Sequence, residues 1–251
     1  MTAEGRRPAP GALKPGSDVR EMFGRIVGRY DLMNRLMTGG RDVAWRNLAV
    51  REALSGYPRG TARVVDVATG TGDLALALAA AGAAAVIGVD FSAPMLRAAA
   101  AKPVSEDEAG TVAWVEADAM ALPFAAGAFD ACTVAFGLRN MPDYQRALVE
   151  MARVLRPGGR FVCLEMTPLR TPAIGPAFGW YFETIVPLVG GLLSGDREAY
   201  RYLPASVAAF LDAPTLAAMM ERAGLTDVRF RKLGGGTVAL HTGVKGRAGE
   251  A

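Results

Sequence analysis

Three aspartates occupy equivalent places in this 251-residue chain: Asp66 in VVDVATGTGD, Asp90 in VIGVDFS and Asp118 in VEADAMALPF. Each sits at the end of an apolar run and before small or turn-forming residues. A carboxylate only accepts hydrogen bonds, so at a strand end it can receive the amino or hydroxyl groups of a ligand. Taken singly, such a residue more often caps a helix or a turn. Three in succession, beside the turn Gly70-Thr71-Gly72, point to one extended ligand lying along the strand ends. The turn fits G-x-G-x-x-A through Ala75, a weak dinucleotide signature by itself, and no Lys follows the glycines as a P-loop requires. Asp66, four residues before Gly70, disfavours a pyrophosphate, because like charges repel. An amino group would gain a charged acceptor there, and the helix N-terminus after Gly72 would receive a carboxylate. Asp90 can accept from both hydroxyls of a ribose. Asp118 can accept from the exocyclic amine of adenine, with the Ala119 N–H beside it.

Hydrophobic periodicity supplies the elements that hold these residues. Arg63–Ala68, Ala85–Phe91, Val112–Asp118, Ala131–Phe136 and Arg160–Met166 read as strands. Asp73–Ala81, Met95–Ala101 and Tyr144–Leu155 read as the helices between them. A further helix, Thr215–Ala223, ends at Gly224, a left-handed cap position. Val228–Lys232 and Val238–Thr242 form a hairpin across Gly234-Gly235-Gly236. Alternation of this kind predicts an α/β, Rossmann-like fold with a doubly wound, mainly parallel sheet. Residues 1–17, rich in Pro, Gly and Ala, read as a disordered tail. Residues 18–60 read as an N-terminal helical cap: Val19, Met22, Phe23, Ile26, Val27 and Tyr30 share one helix face, and a second helix covers Val43–Ala53. Residues 61–245 form the main domain, with a lid-like apolar insert at 171–203. Within that insert Pro172, Pro176 and Pro187 argue against a membrane span.

Composition narrows the function classes. Half the chain is apolar (51%) and the formal net charge is +3, which describes a globular protein with a mild basic excess. No Lys/Arg stripe interleaved with aromatics appears, so nucleic acid is not an expected partner. Cys132 and Cys163 lie in separate apolar runs and read as buried thiols of a cytoplasmic protein. The first 16 residues have no apolar core of a signal peptide. The single His and the scattered acids offer no metal cluster, so no metal is expected.

The spacing acid-x-x-x-Gly-x-Gly resembles class I methyltransferases, in which the methionine end of S-adenosyl-L-methionine lies at the turn. Four further blocks, MFGRIVGRYDLMNRLMTGG, AFGLRNMPD, YRYLPASVAAF and GGTVALHTGVK, resemble the ubiquinone/menaquinone biosynthesis C-methyltransferase family, from about Glu21 to Lys245. The resemblance implies a seven-stranded sheet with an antiparallel C-terminal strand, S-adenosyl-L-methionine as cofactor, and a lipophilic quinol methylated at a ring carbon. In the menaquinone branch, the one expected here, the acceptor is demethylmenaquinol. A polyprenyl-benzoquinol and a soluble small molecule are the alternatives. Thr71, Asp90, Asp118 and Ala119 correspond to the family's cofactor contacts, and Asp66, Gly70 and Gly72 complete the turn. The chain departs from the family at Gly24, where Asp is usual, and at Ala135, where some members carry a cofactor-contacting Ser.

A quinol becomes a carbon nucleophile once its hydroxyl is ionised, and a phenol of pKa ~10 needs a base or a cationic partner to ionise at neutral pH. Arg139 stands just past the fourth strand, at the cofactor edge, and can stabilise a phenolate; a surface pair with Asp143 is the competing use. His241 titrates near neutrality, although a mid-strand position favours a structural role. Asp31 follows Tyr30 in the block YDLMN, where a helix cap or lid hinge competes with catalysis. An insoluble prenyl tail implies extraction at a membrane surface, with the first helix and the insert as entrance. Peripheral contact with the inner face of the membrane follows from that reading, and self-association is left open.

Overall fold

The computed structural model describes residues 21, 22, 24, 25, 27–103, 111–169 and 197–246. The expected tail, the start of the first helix and residues 170–196 of the insert lie outside the described residues. Among the described residues, seven strands form one sheet in the order β3-β2-β1-β4-β5-β7-β6. They are β1 (Arg63–Val67), β2 (Ala85–Asp90), β3 (Thr111–Glu116), β4 (Phe129–Ala135), β5 (Leu155–Met166), β6 (Leu225–Leu233) and β7 (Val238–Lys245). β1 to β5 pair in parallel, and β7 runs antiparallel to both β5 and β6. The helices are α1 (Tyr30–Thr38), α2 (Arg41–Leu54), α3 (Asp73–Ala80), α4 (Ala93–Ala100), α5 (Tyr144–Val154), α6 (Arg197–Ala209) and α7 (Ala213–Arg222).

The sheet is covered on both faces, and the period of two sorts its residues. Val65, Val67, Phe161 and Cys163 join α5 and α7 in one core cluster. Val64, Val162 and Leu164 join α2 and α3 in the other. Strand neighbours therefore point to opposite cores, as pleating demands. Cys132 and Cys163 are buried free thiols, and burial pushes both well above the ordinary thiol range. Asp143 and Asp212 cap α5 and α7 by accepting from Arg146 N (3.0 Å) and Thr215 N (3.1 Å).

Four local expectations change. The helix expected to end at Tyr30 is a 3-10 turn, Val27–Arg29, at that point, and α1 begins where the expected helix stops. Gly24 and Gly28 lower helix propensity there, while Tyr30 onward has none until Gly39. The Arg156-Pro157-Gly158-Gly159 turn lies within β5, beside a register shift against β4 between Phe129 and Ala131. Residues 197–203, expected in the lid insert, belong to α6, which carries Pro204 in its interior. Lastly, β1 and β4 leave the sheet early because Ala68 (φ 54) and Phe136 (φ 57) turn left-handed.

Candidate active site

β1 lies between β2 and β4, so the chain's direction of winding reverses there. Ligands of open α/β sheets bind beyond the carboxyl ends of strands at such a reversal. A cavity of about 430 Å³ opens at this place, lined by Val67, Ala68, Val89, Asp90, Phe91, Ala117, Asp118, Ala119, Met120, Gly137, Asn140, Met141 and Pro142. A second, of about 500 Å³, lies under the cap, between α1, α2, Phe136, Arg139 and the Gly234–Val238 turn. The structure thus brings Asp90, Asp118 and Ala119 to one crevice, and Arg139 to the other cavity.

The acids differ in their surroundings. Asp66 is 1% exposed and accepts from Thr69 Oγ1 and Thr133 Oγ1, both at 2.6 Å. Burial raises its pKa to about 6, against the lowering effect of the two hydroxyls and of Arg46. It borders a small chamber behind the turn, with Arg46, Gly70, Thr71, Asp73 and Phe136. Ala135 forms part of that wall, so it offers carbon where a Ser would offer a hydroxyl. Asp90 accepts from Gly70 N (2.8 Å) and Ser92 N (2.9 Å); it therefore fixes the glycine turn as well as facing the crevice. Asp118 is exposed and accepts the local Met120 N–H at 2.8 Å. Gly72 has φ 81, and a Cβ there would collide with the Trp114 ring, so both conformation and space require glycine.

Asp31 joins the cap to the glycine turn. Its carboxylate accepts from Thr71 Oγ1 at 2.6 Å and pairs with Lys102 Nζ at 2.7 Å. Lys102 also binds Asp73 Oδ1 at 2.5 Å. The cap is thereby tied to the glycine turn, which is closer to the hinge reading than to a base. His241 lies outside both cavities: it is 1% exposed, its Nε2 is 2.9 Å from Ala213 O, and its ring packs on Phe230. Burial lowers its pKa. The sequence candidate His241 is thus a core residue, placed by the pairing of β7 between β5 and β6.

Arg139 is no surface residue, and Asp143 is not its partner. It is buried, its Nη1 binds Glu165 Oε1 at 2.7 Å and the Phe136 carbonyl at 2.5 Å, and its N–H donates to Glu165 Oε2 at 3.2 Å. The sequence reading missed Glu165, although a lone acid in the apolar run VCLEM was the signal. It also missed Asp42 and Arg46. Arg46 Nη1 lies 2.5 Å from Asp42 Oδ2 and 3.4 Å from Asp73 Oδ2. Both residues are buried and line the second cavity. Their i, i+4 spacing in RDVAWR was legible as an ion pair, but not as a cavity wall.

The profile of the ubiE/COQ5 methyltransferase family matches residues 12–245. The chain belongs to the ubiE/COQ5 methyltransferase family. Among its relatives, a demethylmenaquinone methyltransferase of Thermus thermophilus is 50% identical, over 88% of this chain and 99% of its own. A demethylmenaquinone methyltransferase of Deinococcus radiodurans is 44% identical, over 98% and 100% of the two chains. A ubiquinone/menaquinone biosynthesis C-methyltransferase of Syntrophotalea carbinolica is 45% identical, over 94% and 98%. Solved structures of the same fold include a SAM-dependent methyltransferase of Thermotoga maritima (TM-score 0.60, 20% identity, 90% and 98% covered) and the [4+2]-cyclase SpnF (TM-score 0.61, 18% identity, 96% and 99% covered). As a ubiE/COQ5 methyltransferase the protein is an enzyme that uses S-adenosylmethionine, and its fold is the class I one.

The crevice suits that cofactor on its own chemistry. Asp118 and Asp90 bring acceptors to a slot whose other walls are Phe91, Met120, Met141 and Pro142, which fits a flat, amine-bearing ring and a diol. Among the described residues, no group of three or more His, Cys, Asp or Glu is placed to hold a metal ion, and no helix is long and apolar enough to cross a membrane.

Proposed function

We propose that the protein transfers a methyl group from S-adenosylmethionine to a ring carbon of demethylmenaquinol, giving menaquinol. The observation that carries this reading is the cavity under the cap, which two small chambers connect to the cofactor crevice. Its walls combine the apolar residues Met37, Trp45, Phe136, Met166, Leu169 and Val238 with the cations Arg41, Arg46 and Arg139 and the carboxylate of Asp42. A two-ring head with an ionisable hydroxyl matches that combination, and about 500 Å³ is within the range of small-molecule sites.

S-adenosylmethionine supplies an electrophilic methyl group carried on a sulfonium. Asp90 and Asp118, with the Ala119 N–H, would hold its adenosine, and the turn Gly70–Gly72 with Asp66 its methionine end. Arg46 and Arg139 favour the ionised form of an acceptor hydroxyl, and the apolar residues limit the water that would weaken that attraction. Glu165 and Asp42 keep the two guanidiniums in place. Neither Asp31 nor His241 has a part in moving the proton in this scheme.

The relatives from Thermus and Deinococcus carry the name of the naphthoquinol reaction, which favours demethylmenaquinol over a benzoquinol. The test is incubation with S-adenosylmethionine and either reduced demethylmenaquinone or the reduced demethylated benzoquinone, with products weighed by mass spectrometry. Methylation of the naphthoquinol alone is expected. Exclusive methylation of the benzoquinol, or of neither, would overturn the assignment.

The prenyl tail also bears on location. We infer reversible contact with a membrane surface, because the cap helices that line the acceptor cavity expose Leu32 (58%) and Val43 (40%). Residues 170–196 of the insert expected to form the entrance lie outside the described residues.

A further inference from the structure

Among the described residues, the cofactor crevice and the acceptor cavity have no lining residue in common. Two smaller chambers lie between them, one behind the glycine turn and one beneath Ala68 and Asp90. Among the described residues, Phe136 alone lines the acceptor cavity and both chambers. Phe136 therefore stands at the boundary of the acceptor cavity with both chambers.

The backbone of Phe136 is held for that position. Its φ of 57 places a bulky side chain in the left-handed region, a conformation that persists only where the surroundings enforce it and that concentrates at functional sites. Here the enforcement is visible. The Phe136 N–H donates to Leu164 O at 2.8 Å, and its carbonyl accepts from Arg139 Nη1 and from Asn140 Nδ2 (3.5 Å). Arg139 is itself fixed by the buried Glu165. On the ring, the Arg46 guanidinium carbon lies 5.9 Å from the centroid, within cation–π range. Backbone and ring are thus anchored from two different ion pairs.

We propose that Phe136 is a positioning residue for methyl transfer: its ring is the partition between the two ligands, leaving one aperture at which methyl and ring carbon meet. The Arg139–Glu165 pair acts through it as the clamp on its strained backbone. This rests on the functional reading above. Phe136 is one wall among many in the acceptor cavity and in the chamber behind the glycine turn, so its ring should matter more to the chemical step than to the affinity of either ligand.

The test compares Phe136→Gly and Phe136→Tyr with the wild type. Glycine adopts the left-handed backbone without strain, so the variant removes the ring and keeps the turn; tyrosine keeps the ring. Turnover on reduced demethylmenaquinone is measured together with calorimetric affinity for S-adenosylmethionine and a melting curve. For Phe136→Gly, kcat should fall about 100-fold, the scale of a misplacement near 1 Å, while KM and cofactor affinity stay within about threefold. Phe136→Tyr should recover most of the rate. Wild-type kcat in the glycine variant would overturn the proposal, as would a rate loss matched by lost cofactor binding or lost folding. A wild type that binds S-adenosylmethionine but methylates no quinol would overturn the functional reading, and the proposal with it; the two failures are distinguished by which protein fails.

Discussion

At the scale of single residues, two buried titratable groups, Asp66 and His241, act in opposite senses. Asp66 has its pKa raised from 3.8 to about 6 by burial, so the folded state holds the proton more tightly than the unfolded one. The stability this gives is fully present below pH 3.8 and is lost as pH rises through about 6. The size is roughly 3 kcal/mol at most, from about two pKa units. Asp66→Asn should therefore raise the melting temperature of the ligand-free protein at pH 7.5, and hardly change it near pH 4. A variant less stable at pH 7.5 would show that the two threonine bonds outweigh the burial cost. A cationic methionine end prefers the ionised carboxylate, so affinity for S-adenosylmethionine should weaken as pH falls below about 6, by up to tenfold per unit. His241 has the reverse sign: its lowered pKa makes stability complete above the ordinary value of 6.5 and progressively lost below it. His241→Asn should reduce that acid-side loss and keep kcat within about threefold, as a residue outside both cavities requires. A drop of 100-fold with normal melting would return His241 to the site.

At the scale of elements, the carboxyl ends of β1 and β4 are interlocked. A Cβ on Gly137 would stand 2.5 Å from the Ala68 Cβ, and Ala68 is itself left-handed at φ 54. Neither atom has a rotamer in which to escape. Gly137→Ala should cost about 1–3 kcal/mol as an overpacking change and loosen the crevice that both residues line. Adding Ala68→Gly removes the opposing methyl and relieves the backbone, so the double variant should regain most of the loss in a double-mutant cycle. Additive losses would mean that the two turns do not press on each other. This junction also marks what sequence could and could not show. The strands, their order of acids and the glycine turn were legible, because alternation and punctuation are local signals. Asp42 and Arg46 were not legible as site residues, because their function depends on which faces meet under the cap, whereas Glu165 left a signal as a lone acid in an apolar strand. A left-handed Phe carries no signal in the letters AFGLRN at all; only the pressure of Arg139 and Leu164 on its backbone reveals it. Pro204 hid α6 by its residue type, and the β5 bulge hid the true start of that strand.

At the scale of the whole molecule, the cap does two things: it roofs the acceptor cavity and it turns Leu32 and Val43 outward. The protein should co-sediment with anionic liposomes in a partly salt-sensitive way, given its +3 charge. Leu32→Ser with Val43→Ser should weaken that association several-fold, lower the rate on long-tailed quinols, and leave the rate on a tail-free quinol unchanged. Equal loss on both substrates would count against the entrance. The separation of the two cavities has a kinetic consequence as well. Among the described residues the two cavities share no wall, so neither ligand is expected to close the path of the other. Binding should then follow a random-order scheme: S-adenosylhomocysteine would inhibit competitively against S-adenosylmethionine and non-competitively against the quinol. The spent cofactor could leave before or after the methylated lipid, and the enzyme would need no fixed sequence of arrivals to work at a crowded membrane face.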